Sequence, residues 1–234
     1  MFEEYENQKS EYRKIFLQCA CTVFEYLNST KPNNFEGDIF DKYDSGTDGK
    51  LWQSKVLEFI DNVFLNDISQ KRQYIMDERK KYKCLQCGEC CRFACSENSF
   101  EKLKTKSKND NTAKEFIETF IPYNTIEEAR KVFPQYIKLL EENDLDNYFI
   151  YHCPKVTDDN KCPQYENRPK ICADFPDNPL AFLPKNCGFN KWRQDTYKIL
   201  LEIMAKSEIA EFYKTNIKGY TKDENIIRLN PPRN

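Results

Sequence analysis

The stretch CLQCGECCRFAC, Cys84 to Cys95, places five cysteines in twelve residues. How those thiols are used decides what kind of fold surrounds them. The segment MFEEYENQKS is too acidic and polar for a signal or transit peptide, and no apolar run approaches the roughly 18 residues that would span a bilayer. We therefore expect a cytoplasmic chain in a reducing compartment. There, eleven cysteines point to metal binding or redox chemistry rather than to a disulfide framework, and the odd count agrees.

Working outward, Cys84, Cys87, Cys90 and Cys91 form C-x2-C-x2-C-C, with Cys95 four residues on. A second group, Cys153, Cys162, Cys172 and Cys187, follows at wider intervals. Two-residue gaps let neighbouring thiolates turn toward one point, and Gly88 can supply the positive φ that such a tight loop often needs. One loop can give three ligands. A tetrahedral site wants four, so the rest would come from the second group, or from Cys91 if the backbone turns sharply there. Two familiar arrangements fail on spacing. The bacterial ferredoxin run C-x2-C-x2-C-x3-C-P needs a cysteine where Ala94 stands, and Ser96 rather than proline follows Cys95. The C-x3-C-x2-C of radical S-adenosylmethionine enzymes is not present in this run.

The block CLQCGECCR, followed by HCP, by KCPQYENRPKICADFP and by the cysteine of KNCGF, resembles the YkgJ-like cysteine-cluster family, whose CxxCxxCC domain is described as zinc- or iron-chelating. The resemblance covers about Cys84 to Cys187 and leaves out the N-terminal third and the C-terminal segment. It implies chelation by these cysteines, commonly of an iron–sulfur cluster. The gap between the two blocks is longer than is usual in that family.

Thiolates suit zinc and iron–sulfur clusters alike, and a four-cysteine site carries a formal charge of about −2 with either Zn(II) or an oxidised [4Fe-4S] core. The expected cofactor is an iron–sulfur cluster, with 4Fe-4S foremost, or zinc; disulfides or unligated thiols are the remaining reading. The candidate ligands are Cys84, Cys87, Cys90, Cys91, Cys153, Cys162, Cys172 and Cys187. Arg92 and Arg168 lie in the motif and either donate to sulfur, offsetting buried negative charge, or pair with Glu89 and Glu166. His152, the single histidine, reads as a packing or hydrogen-bonding residue and stays outside the ligand set. Tyr165 and Phe175 read as packing around the site. In DSGTDGKLWQSK, Gly46 and Lys55 occupy positions where a calcium loop needs oxygen ligands, so the string reads as a turn and a helix start.

The expected fold is mainly α, with helices surrounding an irregular, loop-rich, metal-organised cysteine centre. In EYRKIFLQCACTVFEYLN, Tyr12, Ile15, Phe16, Cys19, Val23, Tyr26 and Leu27 recur at helical spacing, and Cys19 and Cys21 read as packing residues. A second helix is expected from Asp48, with Leu51, Trp52, Val56, Phe59, Ile60, Val63 and Phe64 on one side, continuing past Asn66 through Tyr74 and Ile75. Residues 1–81 thus form an all-helical region. Residues 82–190 form the chelating domain, with a helical insertion at about 101–145 in which EKLKTKSKNDNTAK is an exposed loop and the following helical stretch breaks near Pro134. Residues 191–234 give a C-terminal helix, with Trp192, Thr196, Ile199, Leu200, Ile203 and Met204 on one face, packed on the same unit. That helix ends at Gly219, before a frayed NPPRN.

A net charge of −2 and a pI near 5.7 argue against general adhesion to nucleic acid or anionic membrane. The basic run KRQYIMDERKKYK reads as a solvated face. No phosphate loop, Ser-His-Asp set or H-E-x-x-H motif is present. The expected function is a metal-binding protein with a redox or molecule-modifying role, acting with a redox or protein partner. A structural zinc-binding interaction module is one alternative. A protein-modifying transferase, such as the cysteine-rich lysine N-methylase with a related cluster pattern, is another.

Overall fold

The computed structural model describes residues 2–44, 46–142, 148–181 and 183–218. Gly219 and NPPRN lie outside them. The described chain is mainly helical with little sheet and divides into two compact units, residues 6–81 with 194–218, and residues 82–193 with 2–5. No helix among the described residues is long and apolar enough to cross a membrane.

The first unit is built on long amphipathic helices. In α1 (Phe2–Thr30), Cys19, Val23 and Leu27 fall at four-residue steps and are buried together. Thr47 caps α2 (Asp48–Phe59) by accepting from the Lys50 N–H, as the helix-start reading required. A π-helical turn, Ile60–Leu65, follows before α3 (Asn66–Arg79). Its wider turn keeps Ile60, Phe64, Ile68 and Ile75 buried along one continuous rod. Trp52, Val56, Ile60 and Phe64 meet α1 and, from the chain after 194, Ala205, Ile209 and Ala210. Each large side chain buried in this way contributes about 1.5–3 kcal/mol.

Four charged residues close a ring beside this core. Lys71 bonds Asp67 (2.9 Å) and Glu202, while Lys206 bonds Asp67 (2.6 Å) and Glu202 (2.6 Å). Burial raises the carboxyl pKa values of Asp67 and Glu202, but both lysines outweigh it and hold them below the ordinary range.

Three expectations for this unit need correction. The chain from 31 to 47 is not helical; Pro32 cannot continue α1, and Ile39 instead inserts into the core while Gln53 donates to the Ile39 and Asp41 carbonyls at 2.8 Å each. Cys21 is exposed, because two residues beyond buried Cys19 is about 200° around the helix. Leu51, Val63 and Met204 are exposed for the same reason, each sitting beside a buried neighbour rather than in line with it.

The second unit is assembled from short pieces: α4 (Glu89–Arg92), β1 (Ala94–Ser96), α5 (Phe100–Lys106), α6 (Asn111–Thr119), β2 (Ile121–Pro122), α7 (Ile126–Val132), α8 (Pro134–Glu142), β3 (Phe149–His152), a 3-10 turn (Tyr165–Asn167), α9 (Lys170–Asp174) and the start of α10 (Asn190–Lys218). The strands form an antiparallel sheet in the order β1-β3-β2, with Cys95 opposite Ile150 and Ile121 opposite His152. Successive β3 residues point to opposite faces. Tyr151 therefore joins Leu103, Ala113 and Phe120 from α5 and the α6 end, while Ile150 joins Ala129, Ile137 and Leu140 from α7 and α8. The insertion between the cysteine groups thus covers both sides of the sheet.

The lysine-rich stretch is not one loop. Ser99 caps α5 by accepting from Lys102 N, Leu103 is buried, and Asp110 caps α6 through the N–H groups of Thr112 and Ala113, so only residues 107–110 are non-helical. The expected break does occur at Phe133, immediately before Pro134.

Candidate metal centre

Two left-handed residues shape the first cysteine loop. Gln86 has φ 54° and Gly88 φ 77°, and the Gln86 N–H turns back to donate to Cys84 Sγ at 3.3 Å. A Cβ on Gly88 would stand 2.5 Å from the Cβ of Asn160, so this position needs glycine for its backbone and for the close approach of the second loop. Gly88 also starts α4, whose single turn carries Cys90 and Cys91.

The two cysteine groups, separated in sequence by the insertion, meet in space. The Cys153 N–H donates to the Cys91 carbonyl at 2.6 Å, Cys162 N–H donates to Gln86 Oε1 at 3.3 Å, and the Tyr165 hydroxyl donates to the Cys84 carbonyl at 2.9 Å. Gly188 lets the chain at Cys187 press against Lys83, whose carbonyl would lie 1.9 Å from an added Cβ. Cys84, Cys87, Cys90 and Cys91 line a cavity of about 530 Å³, and so do Cys153, Cys162, Cys172 and Cys187. Phe116, Phe133, Phe175, Leu180 and Phe189 supply its apolar wall. All eleven cysteines are free thiols. Among the described residues, no three His, Cys, Asp or Glu side chains stand as a closed metal-binding group. The sulfurs share a cavity without being drawn onto one point.

The electrostatics follow from this crowding. Cys187 donates to Cys87, which lowers the Cys87 thiol to about 6 against the effect of burial and raises that of Cys187; the N–H groups of Glu89 and of Cys87 itself also favour the Cys87 thiolate. In the second contact Cys90 donates to Cys91, lowering Cys91 to about 7 and raising Cys90. Arg168 and Arg92 both lower Cys91 further. Burial, reinforced by the charges of Cys91, Cys153 and Cys162, pushes Cys172 up to about 12. A cavity that already favours two thiolates, with backbone N–H groups aimed at sulfur and two guanidiniums nearby, suits a cationic thiophilic group.

The arginines are held in place by the second loop. Arg92 donates through Nε to Asn160 Oδ1 and through Nη2 to the Thr157 carbonyl, both at 2.8 Å. Arg168 stacks over the Tyr165 ring at 4.6 Å. His152 lies against Tyr123, with centroids 4.5 Å apart, and is not among the residues lining the cavity.

Spacing alone left one cavity cysteine out of the ligand set. Cys95 lines the cavity from β1 and hydrogen-bonds Tyr136; burial pushes its thiol up to about 12, although Tyr136 opposes the shift. Its place in the opening stretch was the available signal. Tyr136 carried none, since the helical spacing of α8 explains an aromatic residue there without a site.

The model of the CxxCxxCC family, described as "Putative zinc- or iron-chelating domain", matches residues 83–198. No curated protein and no solved structure matches the chain.

Proposed function

We propose that this chain, which belongs to the CxxCxxCC family through residues 83–198, uses the cysteines of both groups to hold an iron–sulfur centre that serves a redox or molecule-modifying role. The observation that carries the reading is the convergence of Cys84, Cys87, Cys90 and Cys91 with Cys153, Cys162, Cys172 and Cys187 on one cavity. Such a centre would supply one-electron chemistry through its irons. The chain's own contribution is to orient sulfur and set its surroundings. The loop N–H groups at Gln86, Glu89 and Phe189 donate toward Cys84, Cys87 and Cys187, and such donors raise the potential of a thiolate-bound cluster. Arg92 and Arg168 would offset its negative charge, and the apolar wall would lower the polarity around it.

Zinc held by the same thiolates is the second reading, favoured by the tight loop in which left-handed Gly88 opens the helical turn carrying Cys90 and Cys91. The two separate on protein purified without oxygen. Iron and acid-labile sulfide in comparable amounts, with broad absorbance near roughly 400 nm, are expected for the iron–sulfur reading. Colourless protein with stoichiometric zinc would overturn it and keep the chelation.

A further inference from the structure

The eight cysteines do not mix at random. Cys187 contacts Cys87 and also feels the charge of Cys84. Cys90 contacts Cys91 and feels the charges of Cys87 and Cys84, and Cys91 in turn feels that of Cys87. On the other side, Cys153 is tied by its N–H to the Cys91 carbonyl, and the side chains of Cys153 and Cys172 both pack against the Tyr151 cluster on one face of the sheet. Cys172 in turn neighbours Cys91, Cys153 and Cys162. Cys90 and Cys91 are consecutive on one helical turn, and consecutive helical side chains leave the axis about 100° apart. Their sulfurs are in contact, although the two side chains leave the helix in different directions.

Resting on the chelation reading above, we infer that the cavity holds two adjoining four-thiolate sites, one of Cys84, Cys87, Cys90 and Cys187, the other of Cys91, Cys153, Cys162 and Cys172. Each site takes ligands from both sequence groups, and the boundary runs between Cys90 and Cys91. Each has the ligand number and softness for a zinc ion or a four-iron cluster. Cys95, which stands on β1 and hydrogen-bonds Tyr136 of α8, belongs to neither.

The test uses the full chain, reduced and stripped of metal, titrated with zinc ion against a competing chromophoric chelator. Wild type is expected to bind two equivalents. Cys153→Ser/Cys172→Ser removes two ligands from one site and should keep one equivalent at wild-type affinity; Cys84→Ser/Cys90→Ser should do the same from the other side. Cys172→Ser/Cys187→Ser removes the same number of thiols, one from each site, and should keep none at that affinity. The two same-site variants guard against misfolding as the cause, since each must retain a full-strength site. Cobalt(II) substitution should give them the charge-transfer and d–d bands of a tetrahedral four-thiolate ion, at half the wild-type total. A single equivalent in wild type, or equal binding by same-site and cross-site variants, would overturn the partition and leave chelation intact. No zinc bound by wild type would overturn both.

Discussion

The two units of this chain reach order by different means. Residues 6–81 and 194–218 form helices of up to 29 residues around a core that includes fully buried Val56, Ile60 and Phe64. Residues 82–193 place helices of four to nine residues and strands of two to four around a cavity lined with thiols, apart from the opening of α10. Two of this unit's apolar clusters, each with four buried residues, lie on opposite faces of β3. A continuous apolar core sustains the first unit without outside help. In the second, loops such as 153–164 are fixed by a few hydrogen bonds to the first cysteine loop, and we expect metal to supply the missing cross-links.

The contrast is most exposed by removing metal. Chelation should withdraw binding energy on the order of 10 kcal/mol from the cysteine unit, raising amide exchange between residues 84 and 188 while that of residues 52–64 and 199–210 stays slow. Equal loosening of both regions would show that the contrast is wrong. A core truncation should have the opposite profile. Phe64→Ala is expected to cost about 4 kcal/mol, read as a lowered midpoint of helical unfolding, with metal content unchanged.

The charged ring gives a smaller, pH-dependent effect. Lys206→Met leaves Asp67 and Glu202 with Lys71 alone and should cost about 2 kcal/mol at neutral pH. Both carboxyl groups have depressed folded pKa values, so their contribution is fully present above the unfolded value and is lost as pH falls through the folded one. The gap between wild type and variant should therefore start to close near about pH 4, the unfolded value, and vanish only once pH has fallen through the depressed folded values. A gap that persisted there would assign the lysine's role to packing over Phe64, which its ammonium approaches at 5.7 Å. Smallest of all, Cys19→Ala should cost about 1 kcal/mol and Cys21→Ala almost nothing, with full metal retained in both. Loss of metal from either would extend the centre into the helical unit.

The helices α1, α2 and α10 were legible because their apolar residues repeat over many turns, and Thr47 and Pro134 mark a start and a break by known backbone chemistry. The sheet was not legible. Ala94–Ser96 and Ile121–Pro122 are too short to show alternation, and only the pairing with β3 makes them strands. Helix α5 was hidden because its buried side is essentially Leu103 and Phe100 among solvated lysines. The π turn left no mark either, since Ile60 and Phe64 keep an ordinary four-residue step. For the cysteines, the C-x2-C-x2-C-C spacing announced the first loop, while the order 153, 162, 172, 187 says nothing about which sulfur meets which. That information lies in non-local contacts such as Cys153 N–H to the Cys91 carbonyl and Gly188 against Lys83.

The central claim is that both cysteine groups serve metal, and the most direct measurement is metal content per chain in Cys87→Ala and Cys172→Ala, purified without oxygen beside wild type. These residues are 85 positions apart and flank the whole helical insertion. Each variant is expected to lose at least about half of the bound metal, because each removes one of four thiolates from a site that tolerates no vacancy. Wild-type metal content in Cys172→Ala, alongside loss in Cys87→Ala, would contradict the account and leave the downstream cysteines as thiols with another use.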